Sequence, residues 1–308
     1  MQRKLLIAAA ATLVAGSAFA QGTVEIYGRL NLTIERQKLD GVSSTEMLNN
    51  ASRIGFRGTE DLGDGLKAGF VLEHGFAVDT GSAASTFWGR QSELNLSGPF
   101  GMLRLGNYTS EAYFATADYV SMHNHDTGTS ADALYAYLGR DANKIAYRTP
   151  DLGGLTVEGA VSLKEAGTDN TVDLAVNYAA GALALGAGYQ KDGDANQFAL
   201  RALYGMGPFT VGGYIQRDKN AYASGSRTTL RLSGMYALGA TELHLNVGRA
   251  GDYGDVDNSA ASQYTLGVNY NLSKRTKVYT YYSKLGDGDA GVYGGDRSHL
   301  AFGVRHNF

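Results

Sequence analysis

From Val24 onward the chain alternates. Val24, Ile26, Gly28, Leu30, Leu32 and Ile34 share one parity, and Glu25, Tyr27, Arg29, Asn31, Thr33 and Glu35 share the other. A period of two is that of a β-strand with two chemically distinct faces. The period returns near 52–60, 66–76, 86–97, 102–108, 143–149, 155–164 and 171–179. It continues near 183–190, 197–205, 209–217, 228–237, 241–249, 263–272, 276–285 and 297–308, which makes sixteen predicted strands.

The connections alternate as well, short then long. The short ones include 98–101, 150–154, 180–181, 206–208 and 238–240, and they hold all three prolines, Pro99, Pro150 and Pro208. Proline cannot donate to a ladder and is confined to such places. The long ones are polar: 37–50, 77–85, 191–195, 218–226, 250–261 and 287–296, with 109–142 the longest by far. An even strand number, tight turns at one end and long loops at the other predict an all-β, 16-stranded antiparallel transmembrane barrel. Tyrosines support this reading. Tyr147, Tyr178, Tyr204, Tyr236 and Tyr270 end the apolar face at the short-turn side, and Tyr264 stands at the opposite end of the strand that carries Tyr270. That spacing suits an apolar band of about 25 Å between two aromatic girdles.

A sheet in lipid must close, because unpaired backbone groups cost several kcal/mol each there. Sixteen closed strands leave a lumen too wide for side chains to fill, so it holds water. Arginine facing lipid would cost about 2–4 kcal/mol at the midplane. By parity, Arg29, Arg53, Arg57, Lys67, Arg104, Arg148, Arg201 and Arg231 therefore face the lumen. In the stretch SRIGFRGTED, Ile54 and Phe56 are the lipid side and Arg53 and Arg57 the water side. Arg90 has the apolar parity and is left unassigned.

Composition narrows the picture further. With 42 Gly, 20 Tyr, 3 Pro and 1 Trp, the chain forms helix too poorly for an α protein and is too aromatic for a disordered one. Residues 1–20 carry a charged start (Arg3, Lys4), a short apolar core and Ala18-Phe19-Ala20, the pattern of a cleaved secretory signal. The mature domain is then 21–308, and without Arg3 and Lys4 it has 25 basic against 30 acidic residues, a net charge of −5. This balance, with no basic block, argues against nucleic-acid binding. Cysteine is absent, so no disulfide framework supports the fold.

With these features in place, the chain resembles the sixteen-stranded general porins of Gram-negative outer membranes, nearest to their β-proteobacterial, neisserial-like branch. The likeness rests on VEIYGRLNL, SRIGFRGTEDLGDGLKAGFVLE at 52–73, LSGPFGMLRLGN at 96–107, NKIAYRTPDLGGL at 143–155 and the terminal FGVRHNF. It implies a homotrimer in the outer membrane, in contact with lipid and lipopolysaccharide, and a terminal Phe308 read by the barrel-assembly machinery. It also implies that the third loop, 109–142, folds into the pore and opposes its acids to a basic wall of Arg29, Arg53, Arg57, Arg104 and Arg148. That loop lacks the Gly-rich middle the family leads one to expect.

Glu111, Asp118, Asp126 and Asp132 give the loop its negative charge. Opposed to wall arginines, they would set a field across the narrowest point, where selectivity follows pore radius and lining charge. The alternative is that each acid belongs to a solvated loop face. The expected function is passive diffusion of ions and small hydrophilic solutes, with a lean toward anions. The alternative function is a substrate-selective channel with a saturable site for small carboxylates. A barrel hydrolase using His244 or His299 lacks any paired serine motif. No cofactor is expected. His123 and His125 are weak as a metal pair, and the 286–291 GxGxxG lacks the strand–helix context of a nucleotide site, though its aspartates form a pattern that could hold Ca²⁺.

Overall fold

The computed structural model describes residues 22–117, 133–138, 141–163 and 170–308. The expected signal segment, Asp118, Asp126, Asp132 and the His123/His125 pair lie outside them.

The strands are β1 (Thr23–Leu39), β2 (Val42–Asn49), β3 (Arg53–Gly63), β4 (Leu66–Gly75), β5 (Gln91–Gly98) and β6 (Gly101–Asn107). A short helix, α1 (Glu111–Thr116), opens the third loop. Then follow β7 (Lys144–Arg148), β8 (Leu155–Ser162), β9 (Thr171–Ala180), β10 (Leu183–Asp192), β11 (Ala195–Met206) and β12 (Phe209–Lys219). The last five are β13 (Ser226–Leu238), β14 (Thr241–Ala250), β15 (Ala261–Asn271), β16 (Thr276–Asp287) and β17 (Arg297–Asn307). Successive strands other than β2 and β3 pair antiparallel, and β1 closes on β17 from Arg29↔Asn307 to Leu39↔Arg297. Among the described residues no sheet edge is left in the membrane-spanning wall.

Seventeen segments make sixteen staves, because β2 and β3 share one. β1 pairs with β2 along Leu32–Leu39 and with β3 along Thr23–Arg29. Between them, Ala51 takes a left-handed backbone (φ 55°), which alanine seldom adopts. Asn50 donates to Thr33 Oγ1 (2.8 Å), and Ser52 Oγ accepts the Asn31 N–H (3.0 Å), which fills the gap in the ladder. From its sequence the polar stretch 37–50 is expected to be a loop. Its polar composition hid a hairpin turning at Asp40-Gly41, both at positive φ as a two-residue hairpin turn requires. Two other boundaries moved. The expected strand 86–97 begins only at Gln91, and the expected loop 191–195 shrinks to the turn between Asp192 and Ala195.

The wall is inverted relative to a soluble protein. On β1, Leu30 and Ile34 are exposed while Asn31, Thr33 and Glu35 are buried. On β10–β12, Gln190, Gln197 and Gln216 are wholly buried inside, whereas Phe198, Leu200 and Ile215 lie outside. Four of the five expected girdle tyrosines, Tyr147, Tyr178, Tyr204 and Tyr270, are exposed on the outer face. Tyr236 packs against Phe209 (4.6 Å between rings).

At the seam, Gly28 and Phe308 exchange backbone hydrogen bonds: Gly28 N–H to Phe308 O at 3.0 Å and the reverse at 3.1 Å. The Phe308 ring lies directly over Gly28, where a β-carbon would collide with it. The terminal aromatic is thus seated on the outer face at the joint between the first and last strands.

Candidate pore constriction

The third loop enters the barrel as a consequence of small residues. Ser110 caps α1 by accepting the Ala112 N–H (3.2 Å), and Glu111 occupies the first turn. The helix lies flat on the inner wall, where Ala112 and Ala115 pack with Ala175 of β9. A β-carbon at Gly186 or Gly188 of β10 would strike the carbonyl oxygens of Ala115 and Ala112. Only glycine at these positions lets backbone meet backbone.

The returning limb, 133–138, is held by side-chain amides. Gln216 accepts from Ala136 N–H (2.8 Å) and donates to Ala136 O (2.9 Å), as a neighbouring strand would. Behind it, Gln216 donates to Gln197 (3.1 Å), Gln197 to Gln190 (3.0 Å) and Gln190 to Asp173 (2.9 Å). The described residues of this loop lie against the inner wall from β9 to β16.

On the β1–β6 side, Arg29 and Arg53 stand directly opposite each other in the β1–β3 register. Arg53 lies 3.8 Å from Glu73, and Arg90 makes a 2.6 Å pair with the same carboxylate. Arg29 is within electrostatic reach of Arg53, Arg90 and Arg305. Arg29, Arg53, Arg90 and Arg104 line a cavity of 410 Å³, faced on the loop side by Tyr108, Tyr113 and Phe114. Arg90, unassigned from parity, precedes β5 and is therefore free to turn inward.

A second group continues from this cavity toward α1. Arg104 pairs with Glu93 (2.8 Å) and Glu158 (3.1 Å), and Arg148 with Glu158 (2.8 Å) and Glu111 (2.6 Å). Asn177 donates to the other Glu111 oxygen (2.9 Å). Burial pushes the Glu111 carboxyl above the ordinary carboxylate range, against the pull of Arg148. The ladder Glu93–Arg104–Glu158–Arg148–Glu111 holds two bases and three acids, a formal charge of −1. The group Arg29, Arg53, Arg90 and Glu73 holds three bases and one acid, a formal charge of +2.

Of the predicted residues, Arg29, Arg53 and Arg104 share the cavity, and Arg148 adjoins it through the ladder. Arg57 does not join them. It lies four residues beyond Arg53 toward the short-turn end, about 13 Å along the strand, and is largely exposed in a 2.7 Å pair with Glu25. Lys67 is also near that end, in register with Asp61 and Ser97. Arg201 and Arg231 are buried, as inward parity required. Glu111 turns to Arg148 and Asn177, not to the Arg29–Arg53 wall. Sequence reasoning missed Arg305, Glu73, Glu93 and Glu158, although each has the inward parity of its strand. At the outer loops, Asp287 accepts the Tyr293 and Gly295 N–H groups (2.8 and 2.9 Å). Among the described residues no three His, Asp or Glu side chains converge as a metal site would require.

Comparison with known proteins agrees with this geometry. Residues 6–290 match the family described as Gram-negative porin. Outer membrane porin protein 32 of Delftia acidovorans is 31% identical over 356 aligned positions, covering 99% of this chain and 100% of that protein. Major outer membrane protein P.IB of Neisseria gonorrhoeae is 37% identical over 118 positions, covering 35% of this chain and 32% of that one. Among solved structures, the anion-selective porin from Comamonas acidovorans superposes with a TM-score of 0.78 at 28% identity, over 94% of this chain and 100% of that one. OmpF of Salmonella typhi shares the fold at a TM-score of 0.79 and 15% identity, over 92% of this chain and 97% of that one. A closed sixteen-stave barrel, apolar outside and charged within, narrowed by its own third loop, is here joined to a match over most of the sequence: the chain belongs to the Gram-negative porins, outer-membrane channels for passive diffusion.

Proposed function

We propose that this porin passes small hydrophilic solutes with a preference for anions, and that Arg29, Arg53 and Arg90 set the preference. The carrying observation is the segregation of charge at the constriction. A group of +2 adjoins an ion-pair ladder of −1 that continues from the same cavity, so charge is uneven along the passage and an entering anion is drawn to the basic group. The related Comamonas porin is named for anion selectivity, which supports the same sign. We assign the channel no catalytic step, a reading supported by the engagement of His299 with Glu35 (3.1 Å) and of His244 with Asn269 (3.1 Å).

A second reading, a saturable site for small carboxylates, is favoured by one feature. Planar guanidinium groups around a 410 Å³ cavity match the two oxygens of a carboxylate. Single-channel recording in planar bilayers separates the two. Simple diffusion predicts large ohmic steps that millimolar succinate lowers only slightly, whereas saturable block by succinate would establish the second reading.

The working unit we propose is a homotrimer joined through the outer face of β17 and β1–β6. Strands β5 and β6 have 8 and 7 residues, too few when tilted to span an apolar band of about 25 Å. Among the described residues, the outward tyrosines stand on β7–β16 and none on β1–β6. The seated Phe308 is proposed as the element the assembly machinery reads, and lipopolysaccharide as the neighbour of the outer loops, where any Ca²⁺ would bind near Asp287.

A further inference from the structure

Arg227 of β13 is, with Arg231, the largest wholly buried side chain among the described residues, and diffusion gives it no role. Its charge is answered by Asp218 of β12 at 2.9 Å, and both side chains are completely shielded from water. Three tyrosine rings surround the guanidinium: Tyr222, Tyr253 and Tyr293, with centroids 5.2, 4.8 and 5.3 Å away. Each comes from a different outer loop, between β12 and β13, β14 and β15, and β16 and β17 respectively.

The cage is tied to the constriction loop by two bonds. Arg227 donates from Nη2 to the Leu134 carbonyl (3.0 Å), and Tyr222 donates its hydroxyl to the Tyr135 carbonyl (2.8 Å). The Leu134 side chain enters an apolar pocket of Ala250, Ala261 and Leu285. Tyr253 completes the frame by donating to the second Asp218 oxygen (2.6 Å). A guanidinium suits this position because it can stack on several rings while its in-plane N–H groups reach a carboxylate and a carbonyl.

We propose that Arg227 is a positioning residue of the pore: a tyrosine-caged cation that fixes the returning limb of the constriction loop and couples it to three outer loops. The limb cannot leave the wall without opening the cage, and an opened cage leaves the limb held only by Gln216 and the Leu134 pocket. Displacement of the outer loops at Tyr222 or Tyr293 is thereby transmitted to the width of the passage.

The test compares wild type with Arg227→Met, Tyr222→Phe and Tyr293→Ala as full-length protein in planar bilayers, alongside the temperature at which each barrel unfolds in detergent. Arg227→Met is expected to raise open-channel noise severalfold and to lower the voltage of channel closure. Tyr222→Phe, which removes only one hydroxyl from a half-exposed ring, is expected to shift both in the same direction by less. A lower unfolding temperature with unchanged noise and closure voltage would overturn the proposal and leave Arg227 a purely structural residue. Should Arg227→Met fail to refold, Tyr222→Phe and Tyr293→Ala decide alone, and wild-type noise and closure voltage in both would equally overturn it.

Discussion

Arg29 and Arg53 occupy directly opposed positions on neighbouring strands, where like charges destabilise a sheet. Such an arrangement has a place in a pore because the charge that strains the wall also draws counter-ions into it. Removing one charge about 8 Å from the ion path, in water-like dielectric, changes an ion's energy by about 0.5 kcal/mol, roughly twofold in permeability ratio. Arg53→Ala should therefore shift the reversal potential toward cations by that order. Arg57→Ala should shift it far less, because Arg57 is largely exposed and stands about 13 Å along the strand from Arg53, beyond the screening length of about 10 Å at 0.1 M salt; equal shifts would return Arg57 to the constriction. Glu111 adds a pH dependence. Its carboxyl is raised by burial, so on acidification it takes up a proton before an ordinary Glu, whose pKa is about 4.3. The ladder then loses its excess negative charge, and anion preference should rise as pH falls from 7 toward that range. Glu111→Gln should remove this early rise, and a profile identical to wild type would contradict the assignment. Parity alone puts Arg53 and Arg57 on the same face of β3. It could not give their depth or the Glu25 partner, which depend on the pairing of β1 with β3.

The third loop shows how an element without strand pattern is placed by the wall behind it. The Ser110-Glu111 start of α1 is readable as a helix cap and first turn, but its resting place depends on Gly186 and Gly188, some 70 residues away in sequence. The returning limb depends likewise on Gln216, and nothing in the loop's own composition reveals that partner. Gln216→Ala leaves the Ala136 N–H and carbonyl without their buried partner, at a cost of about 1–3 kcal/mol per group. We expect lower thermal stability together with noisier channels, and quiet channels with wild-type conductance would show that the glutamine ladder does not set the aperture. The β2 hairpin was hidden for the opposite reason. Val42–Asn49 is polar because it rises beyond the apolar band, so it lacks the alternation that marks a lipid-facing strand.

At the scale of the whole molecule the fold was the most legible feature, because lipid outside and water inside impose one sign of alternation on every spanning stave. Closure itself is a long-range matter: β1 meets β17 across the full length of the chain, and the Gly28–Phe308 contact seals the joint. That pairing also carries Arg305 to the side of Asn31 and near Arg29, so the basic wall is a property of the closed barrel and of no single segment. The central claim concerns that wall. Its most direct test is the zero-current potential of the wild-type channel in a planar bilayer under a tenfold KCl gradient at pH 7. A potential of the sign that marks chloride as the more permeant ion is predicted, and one marking potassium as more permeant would contradict the account.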